Sequence, residues 1–293
     1  MVSQLATVRK ITGLRKRVAA WRAGGDSVAL VPTMGSLHEG HLSLVRFAQR
    51  KASRVVVSIF VNPTQFGPGE DFKTYPRNEA RDRKALSEVG ASLIFSPDVA
   101  EMYGDNFSTQ VSVSGLTEVL CGASRPHHFA GVATVVAKLL LQTLPDIAVF
   151  GEKDYQQLLI IKRMAADLDI PVRIAGAPIV RETDGLAMSS RNAYLSPAER
   201  QVAPLLRRTV ADTANDIAAG RAVSGALKAG RARLERGGFR VDYLEARHVA
   251  NLAALTRLDG GPGRVFAAAY LGKTRLIDNV PVPKSAVRRG RPA

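Results

Sequence analysis

The chain has 293 residues, of which 46% are apolar and 23% charged, and it carries a net charge of +15. That length exceeds one small core and points to one large domain or two. The lone Cys121 excludes an internal disulfide and a cysteine metal cluster, and no apolar run approaches the roughly 20 residues that cross a bilayer.

The opening stretch, MVSQLATVRKITGLRKR, lacks the apolar segment of a signal peptide, so a cytoplasmic protein is the simplest reading. A short apolar run at 28–31 stops at Pro32. Residues 54–62 (RVVVSIFVN) are apolar on both alternations, as expected of a strand covered on both faces. Segments 92–96 (SLIFS) and 147–151 (IAVFG) read alike, and 172–175 and 179–180 are shorter strand candidates. Helical patterns fall between them at 40–51, 79–90, 131–144 and 155–168. Strands alternating with helices imply a mostly parallel α/β sheet, which binds ligands beyond the carboxyl ends of its strands.

The character changes after Arg191. SPAE at 196–199 is a helix start, with Ser as N-cap, Pro next and Glu third. One long helix to Gly220 and a second over 223–237 should follow. A strand is expected at 241–246, then a hairpin of 265–271 and 274–278 around Gly272-Lys273. These elements predict a smaller α+β domain. The basic tail, 284–293, has the composition of a disordered segment. Of the +15 charge, +10 falls after residue 197. The aromatics there, Phe239, Tyr243, Phe266 and Tyr270, sit in apolar patterns rather than among the basic residues, so a nucleic-acid platform is disfavoured against a solvated basic face.

PTMGSLHEGH, residues 32–41, carries two of only five histidines. His38 and His41 stand three apart where a strand ends and a helix begins, which would put both imidazoles on one side. A helix start favours phosphate, Gly40 lets a ligand approach the backbone, and imidazole N–H groups can donate to phosphate oxygens. Two alternatives stand beside this. The zinc helix HExxH needs histidines four apart, so HEGH is one residue short. Packed structural histidines are the other.

With VSIFVNPTQF (57–66), RPHHFAGV (125–132), FGEKDYQQL (150–158) and DGLAMSSRN (184–192), the HxGH stretch closely resembles the pantothenate synthetase family, the pantoate–β-alanine ligases. The motifs come in the family's order and spacing across the first 200 residues; the last third matches only loosely, in SPAER and DYLEAR. The resemblance implies a Rossmann-like N-terminal domain over 1–179, which binds ATP and pantoate. A smaller α+β C-terminal lid domain would span 180–283. It implies condensation of (R)-pantoate with β-alanine using ATP and Mg²⁺, through a pantoyl adenylate, by a homodimer. No Mg²⁺ ligands can be named from the sequence.

The resemblance further implies that ATP is bound by Met34, Gly35, Ser36, Leu37, His38, Glu39, Gly40 and His41. Gly151, Glu152, Lys153 and Asp154 would join them, as would Val180 and Met188, Ser189, Ser190 and Arg191. His41 would act on the departing phosphate with His38 as companion; Lys153, Ser189, Ser190 and Arg191 would complete the catalytic set. Gln65 and Gln157 would contact pantoate and β-alanine, supported by Asn62, Arg125 and His128. Read without the family, Lys153 would be solvated surface, Met34 core packing, Val180 an ordinary strand valine, and Gln65 a loop cap. The glycine- and proline-rich stretch 67–77 is expected to form a lid that excludes water from the adenylate. The rivals are an AMP-transferring enzyme with a phosphate acceptor, a tRNA synthetase and a nucleic-acid-binding protein. Paired glutamines suit an uncharged polyol acid better than a phosphate. About 100 residues after the boundary leave little room for an anticodon domain.

Overall fold

The computed structural model describes residues 5–258 and 261–284. The chain divides into two compact units, Met1–Val180 and Arg181–Ala293.

The first unit runs β1 (Thr7–Val8), α1 (Ile11–Ala23), β2 (Val28–Thr33), α2 (Glu39–Gln49), β3 (Arg54–Ile59), α3 (Glu79–Glu88) and β4 (Leu93–Phe95). It continues with α4 (Val99–Met102), α5 (Cys121–Ser124), α6 (His128–Thr143), β5 (Ile147–Gly151), α7 (Tyr155–Asp167) and β6 (Arg173–Ala177). Single 3-10 turns, Pro63–Gln65 and Glu152–Asp154, follow β3 and β5. The six strands form one sheet in the order β1-β4-β3-β2-β5-β6, and every pair is parallel.

Alternate residues of the strands feed two cores. Leu30, Val56, Phe95, Ala148 and Phe150 pack on one face with residues of α1, α6 and α7. Val31, Val57, Ile94 and Val149 pack on the other with residues of α2 and α3. Because both faces are covered, these strands read as unbroken apolar runs. The chain turns toward β3 and β4 on one side of β2, while β5 and β6 lie on the other. The crevice between the carboxyl ends of β2 and β5 is therefore the topological switch point, where such sheets take ligands.

The second unit contains a 3-10 turn (Ser190–Tyr194), α8 (Pro197–Val202), α9 (Leu205–Ala218), α10 (Val223–Arg236), β7 (Arg240–His248), β8 (Gly263–Leu271) and β9 (Thr274–Pro281). Its strands form an antiparallel sheet in chain order, with α9 and α10 supplying the helical side of its core. Ser196 caps α8 as anticipated: its Oγ accepts from Glu199 N at 3.3 Å and Glu199 Oε2 accepts from Ser196 N at 2.8 Å. The hairpin closes as anticipated too, with Leu271 opposite Thr274 and Gly272 at φ +56°.

Two expectations change, and one stretch left unread gains structure. The long helix from Ser196 is two helices, α8 and α9, because Pro204 has no N–H to continue α8 and instead opens α9. Residues 179–180 form no strand: β6 ends at Ala177 and Pro178 cannot donate to a ladder. The basic N-terminal stretch supplies the edge strand β1, paired with β4, and helix α1. The tail expected to be disordered lies, from residue 285 on, outside the described residues.

Candidate active site

The loop after β2 has an unusual backbone. Gly35 takes φ +80° and Ser36 φ +51°, the left-handed region that costs a side-chain-bearing residue about 1–2 kcal/mol. Asp82 of α3 holds this shape. Its Oδ2 accepts from Ser36 N at 2.9 Å and its Oδ1 from Leu37 N at 2.8 Å. Its side chain is 2% exposed. A Cβ at Gly35 would stand 3.0 Å from Asp82 Oδ2 and 3.1 Å from Ile59 Cγ2, so the glycine serves both the φ and the fit. Asp82 is absent from the sequence-based set. The available signal was its spacing: it lies four residues before the buried Leu86, on the apolar face of a charged helix.

His38 and His41 cap α2 reciprocally. Gly40 N donates to His38 Nδ1 at 3.1 Å, and His38 N donates to His41 Nδ1 at 3.4 Å. The ring centroids are 4.1 Å apart. This explains the spacing of three: it is that of a capping box, built from imidazoles. With Nδ1 accepting, a neutral ring carries its proton on Nε2. Burial, then the charge of Lys153, lowers the His38 pKa to about 4. Burial, then His38 and Lys153, lowers that of His41 to about 3. Both rings are thus neutral Nε2–H donors. The amides of Gly35, Ser36, Leu37 and His38 already serve Thr33 Oγ1, Asp82 and His41. Those four amides are spent within the chain, and the donors this helix cap adds for a ligand are the imidazole Nε2–H groups.

Further groups gather near these imidazoles. Gln65 Nε2 lies 3.2 Å from Met34 Sδ. His128 Nδ1 meets Gln65 O at 2.9 Å; as donor to a carbonyl, Nδ1 holds the proton and Nε2 is an acceptor, the opposite tautomer to His38 and His41. Burial, then Arg125, lowers the His128 pKa to about 4. Lys153 and Asp154, on the turn after β5, are close enough to perturb these imidazoles electrostatically. Gln157 is half-buried in the first turn of α7.

Two residues of the sequence-based set are committed inside the protein. Asn62 is 1% exposed and uses every polar valence on protein partners. It cannot also bind substrate while these bonds stand. Arg125 pairs two-pronged with Glu70, Nε to Oε1 at 2.6 Å and Nη2 to Oε2 at 2.5 Å. It thereby ties down the stretch expected to form a lid, where Phe66 packs on Phe72 and Tyr75. Val180 closes the first unit; Met188, Ser189, Ser190 and Arg191 belong to the second. There Ser189 caps the 3-10 turn, accepting from Arg191 N at 3.3 Å. The loop's base is held by Arg181, two-pronged on the buried Asp278 at 2.7 and 2.9 Å. Among the described residues, no three His, Cys, Asp or Glu side chains converge as metal ligands, and no helix is long and apolar enough to cross a membrane.

A parallel sheet whose switch point carries an HxGH helix cap and a GEKD turn defines an α/β nucleotide-binding enzyme of the HxGH type. Within that class the chain belongs to the pantoate-beta-alanine ligase family, whose sequence profile matches residues 6–281. A pantothenate synthetase of Paramagnetospirillum magneticum is 58% identical over 290 residues, covering 96% of this chain and 99% of the relative. That of Rhodospirillum rubrum is 57% identical over 279 residues, covering 95% and 99%. The crystal structure of pantothenate synthetase from Thermus thermophilus matches with a TM-score of 0.89 at 48% identity, over 95% of this chain and 99% of that one. The Francisella tularensis pantoate-beta-alanine ligase, complexed with beta-gamma ATP and beta-alanine, matches with a TM-score of 0.78 at 31% identity, over 94% and 97%.

Proposed function

We propose that this chain condenses (R)-pantoate with β-alanine, converting ATP to AMP and diphosphate. A carboxylate is a poor acyl electrophile, so it must first be activated. A pantoate carboxylate oxygen attacks the α-phosphorus of ATP, the bond to the β-phosphate oxygen breaks, and diphosphate leaves. The amine of β-alanine then attacks the acyl carbon of the pantoyl adenylate, and AMP leaves with the bonding pair as the amine gives up its proton.

Both steps move negative charge onto phosphate oxygens, so the site needs fixed donors rather than a covalent nucleophile. The observation that carries this reading is the imidazole pair, two neutral rings locked as Nε2–H donors at the switch point. His41 and His38 donate to the phosphates. Bound phosphate charge raises the imidazole pKa, which lets His41 follow the leaving group with a proton. Lys153 adds a point charge. The segment Met34–His41 and Gly151 to Asp154 supply the nucleotide site of the first domain, 1–179, and Val180, the residue that follows it, joins them. An added Cβ at Gly151 would meet nothing nearer than 4.0 Å within the chain, which supports a ligand rather than packing as the reason for glycine. Met188, Ser189, Ser190 and Arg191, in the smaller domain, 180–283, complete the proposed ATP-binding set with two hydroxyls and a guanidinium, groups suited to phosphate. Gln65 and Gln157 bind the two acids, with His128 beside them.

Magnesium enters as the counter-ion of ATP. No carboxylate cage for a resident ion exists among the described residues, and phosphate oxygens suit its octahedral demand. The enzyme works in the cytoplasm as a homodimer, and exposed Leu141, Leu144 and Leu168, at the C-terminal ends of α6 and α7, give a second copy apolar surface to cover. AMP formation, measured with each substrate omitted in turn for wild type and His41→Ala, tests the reading. It requires dependence on both acids and a fall of about 100-fold or more in the variant. Turnover without pantoate would overturn it.

A further inference from the structure

We propose that Asn62, braced by Tyr103, is a positioning residue that decides which end of the Gln65 amide faces the substrates, making Gln65 an obligate hydrogen-bond donor. The inference rests on the reading of Gln65 as a substrate-binding residue and goes beyond it by fixing its polarity.

The orientation of Asn62 is set by groups that cannot change role. Its Oδ1 accepts from the backbone N–H of Thr64 at 3.3 Å, which can only donate. Its Nδ2 donates to the backbone carbonyl of Gly131 at 3.1 Å, which can only accept. The Thr64 hydroxyl at 3.0 Å and the Tyr103 hydroxyl at 2.8 Å add two more donors on Oδ1. The hydroxyls could turn to accept, but a flipped Asn62 would still set its NH₂ against the Thr64 N–H and its oxygen against the Gly131 carbonyl, and neither backbone group can change role.

One N–H of Asn62 remains, and it meets Gln65 Oε1 at 3.1 Å. Gln65 must offer an acceptor there, so its NH₂ points away. That NH₂ touches only the thioether of Met34, a weak acceptor. Its donor capacity is left for a ligand. The backbone that enforces this is closely docked: a Cβ at Gly131 would lie 2.3 Å from Thr64 O and 2.7 Å from Gln65 N. Tyr103 is in turn held by its ring, with centroids 6.1 Å from Phe60 and 5.0 Å from Phe107.

The consequence concerns specificity. An NH₂ facing the site addresses a hydroxyl or carboxylate oxygen and repels an ammonium. Gln65 therefore binds the hydroxy acid and the carboxylate end of the amino acid, and the reacting amine has its contacts elsewhere. Asn62→Asp reverses the relay: its carboxylate can only accept, so it draws the Gln65 NH₂ inward and presents an oxygen to the substrate.

The test is a double-mutant cycle on kcat/KM for (R)-pantoate, using Tyr103→Phe, Asn62→Asp and Gln65→Ala. Each relay variant should lose about tenfold or more in the Gln65 background, the scale of one hydrogen bond. The loss should vanish in the Gln65→Ala background. The KM for ATP should not move. A merely structural role predicts the same loss in both backgrounds and overturns the proposal. A second readout needs no turnover: nuclear Overhauser contacts from the Gln65 side-chain NH₂ to the Met34 methyl. They should be present in the wild type and lost in Asn62→Asp. If they are absent from the wild type the relay is wrong; if they are present but pantoate is not a substrate, the proposed function fails while the relay stands.

Discussion

Asp82→Asn isolates what the clamp on the nucleotide loop contributes. The asparagine oxygen can replace one carboxylate oxygen and keep one of the two amides, Ser36 N or Leu37 N. The other amide then faces an NH₂, donor against donor. Losing one charge-assisted bond costs about 1.5–3 kcal/mol. The left-handed Ser36 also loses support against its own cost of about 1–2 kcal/mol. Stability should fall by about 2 kcal/mol or more in urea unfolding. If about 1.4 kcal/mol of that is spent holding the loop in its competent shape, the apparent affinity for ATP drops about tenfold. Charge alone predicts the reverse, because removing a buried anion beside the loop favours a triphosphate. Calorimetric titration with a non-hydrolysable ATP analogue separates the two. Tighter or unchanged binding in a variant of unchanged stability would refute the clamp.

Three further outcomes follow from the geometry. The pKa values of His38 and His128 are lowered to about 4 and that of His41 to about 3. Below pH 6.5 the unfolded chain therefore binds protons that the native one does not, and stability should fall as pH drops from about 6.5 toward 4, while staying flat in these groups above 6.5. Urea midpoints between pH 7.5 and 5 check this, and a constant midpoint would contradict it. Gly131→Ala forces a methyl group against the Thr64 carbonyl; expected are a loss of at least about 1–3 kcal/mol and a raised KM for pantoate, since Gln65 shifts with that backbone. Ser196→Ala removes half of a capping box and should cost about 1 kcal/mol with catalysis little changed, read by thermal unfolding and turnover together.

Much of the architecture was legible because its causes are local. Residues 54–59 are apolar on both alternations, and that alone says their strand is covered twice. The Ser196–Glu199 capping box and the Gly272 turn are contacts between near neighbours, so their residues suffice to predict them. The break at Pro204 was equally local and could have been read from the ring's missing donor. The two histidines were visible as a pair at a strand end.

What they do there was not visible. Their tautomers depend on which backbone N–H reaches which Nδ1, and their neutrality depends on burial and on Lys153, which stands more than a hundred residues along the chain. Asp82 looks like one more charge on a polar helix until α3 packs beside β2 and turns it onto the loop. Asn62 reads as a ligand-binding amide in a loop until Tyr103 and Gly131 consume its valences. The sequence by itself determined the elements, the family and the list of polar side chains. The tertiary structure decided which of those side chains are spent on the protein and which remain for a substrate. Periodicity and capping act over a few residues, whereas hydrogen-bond valence is counted only once distant segments have met.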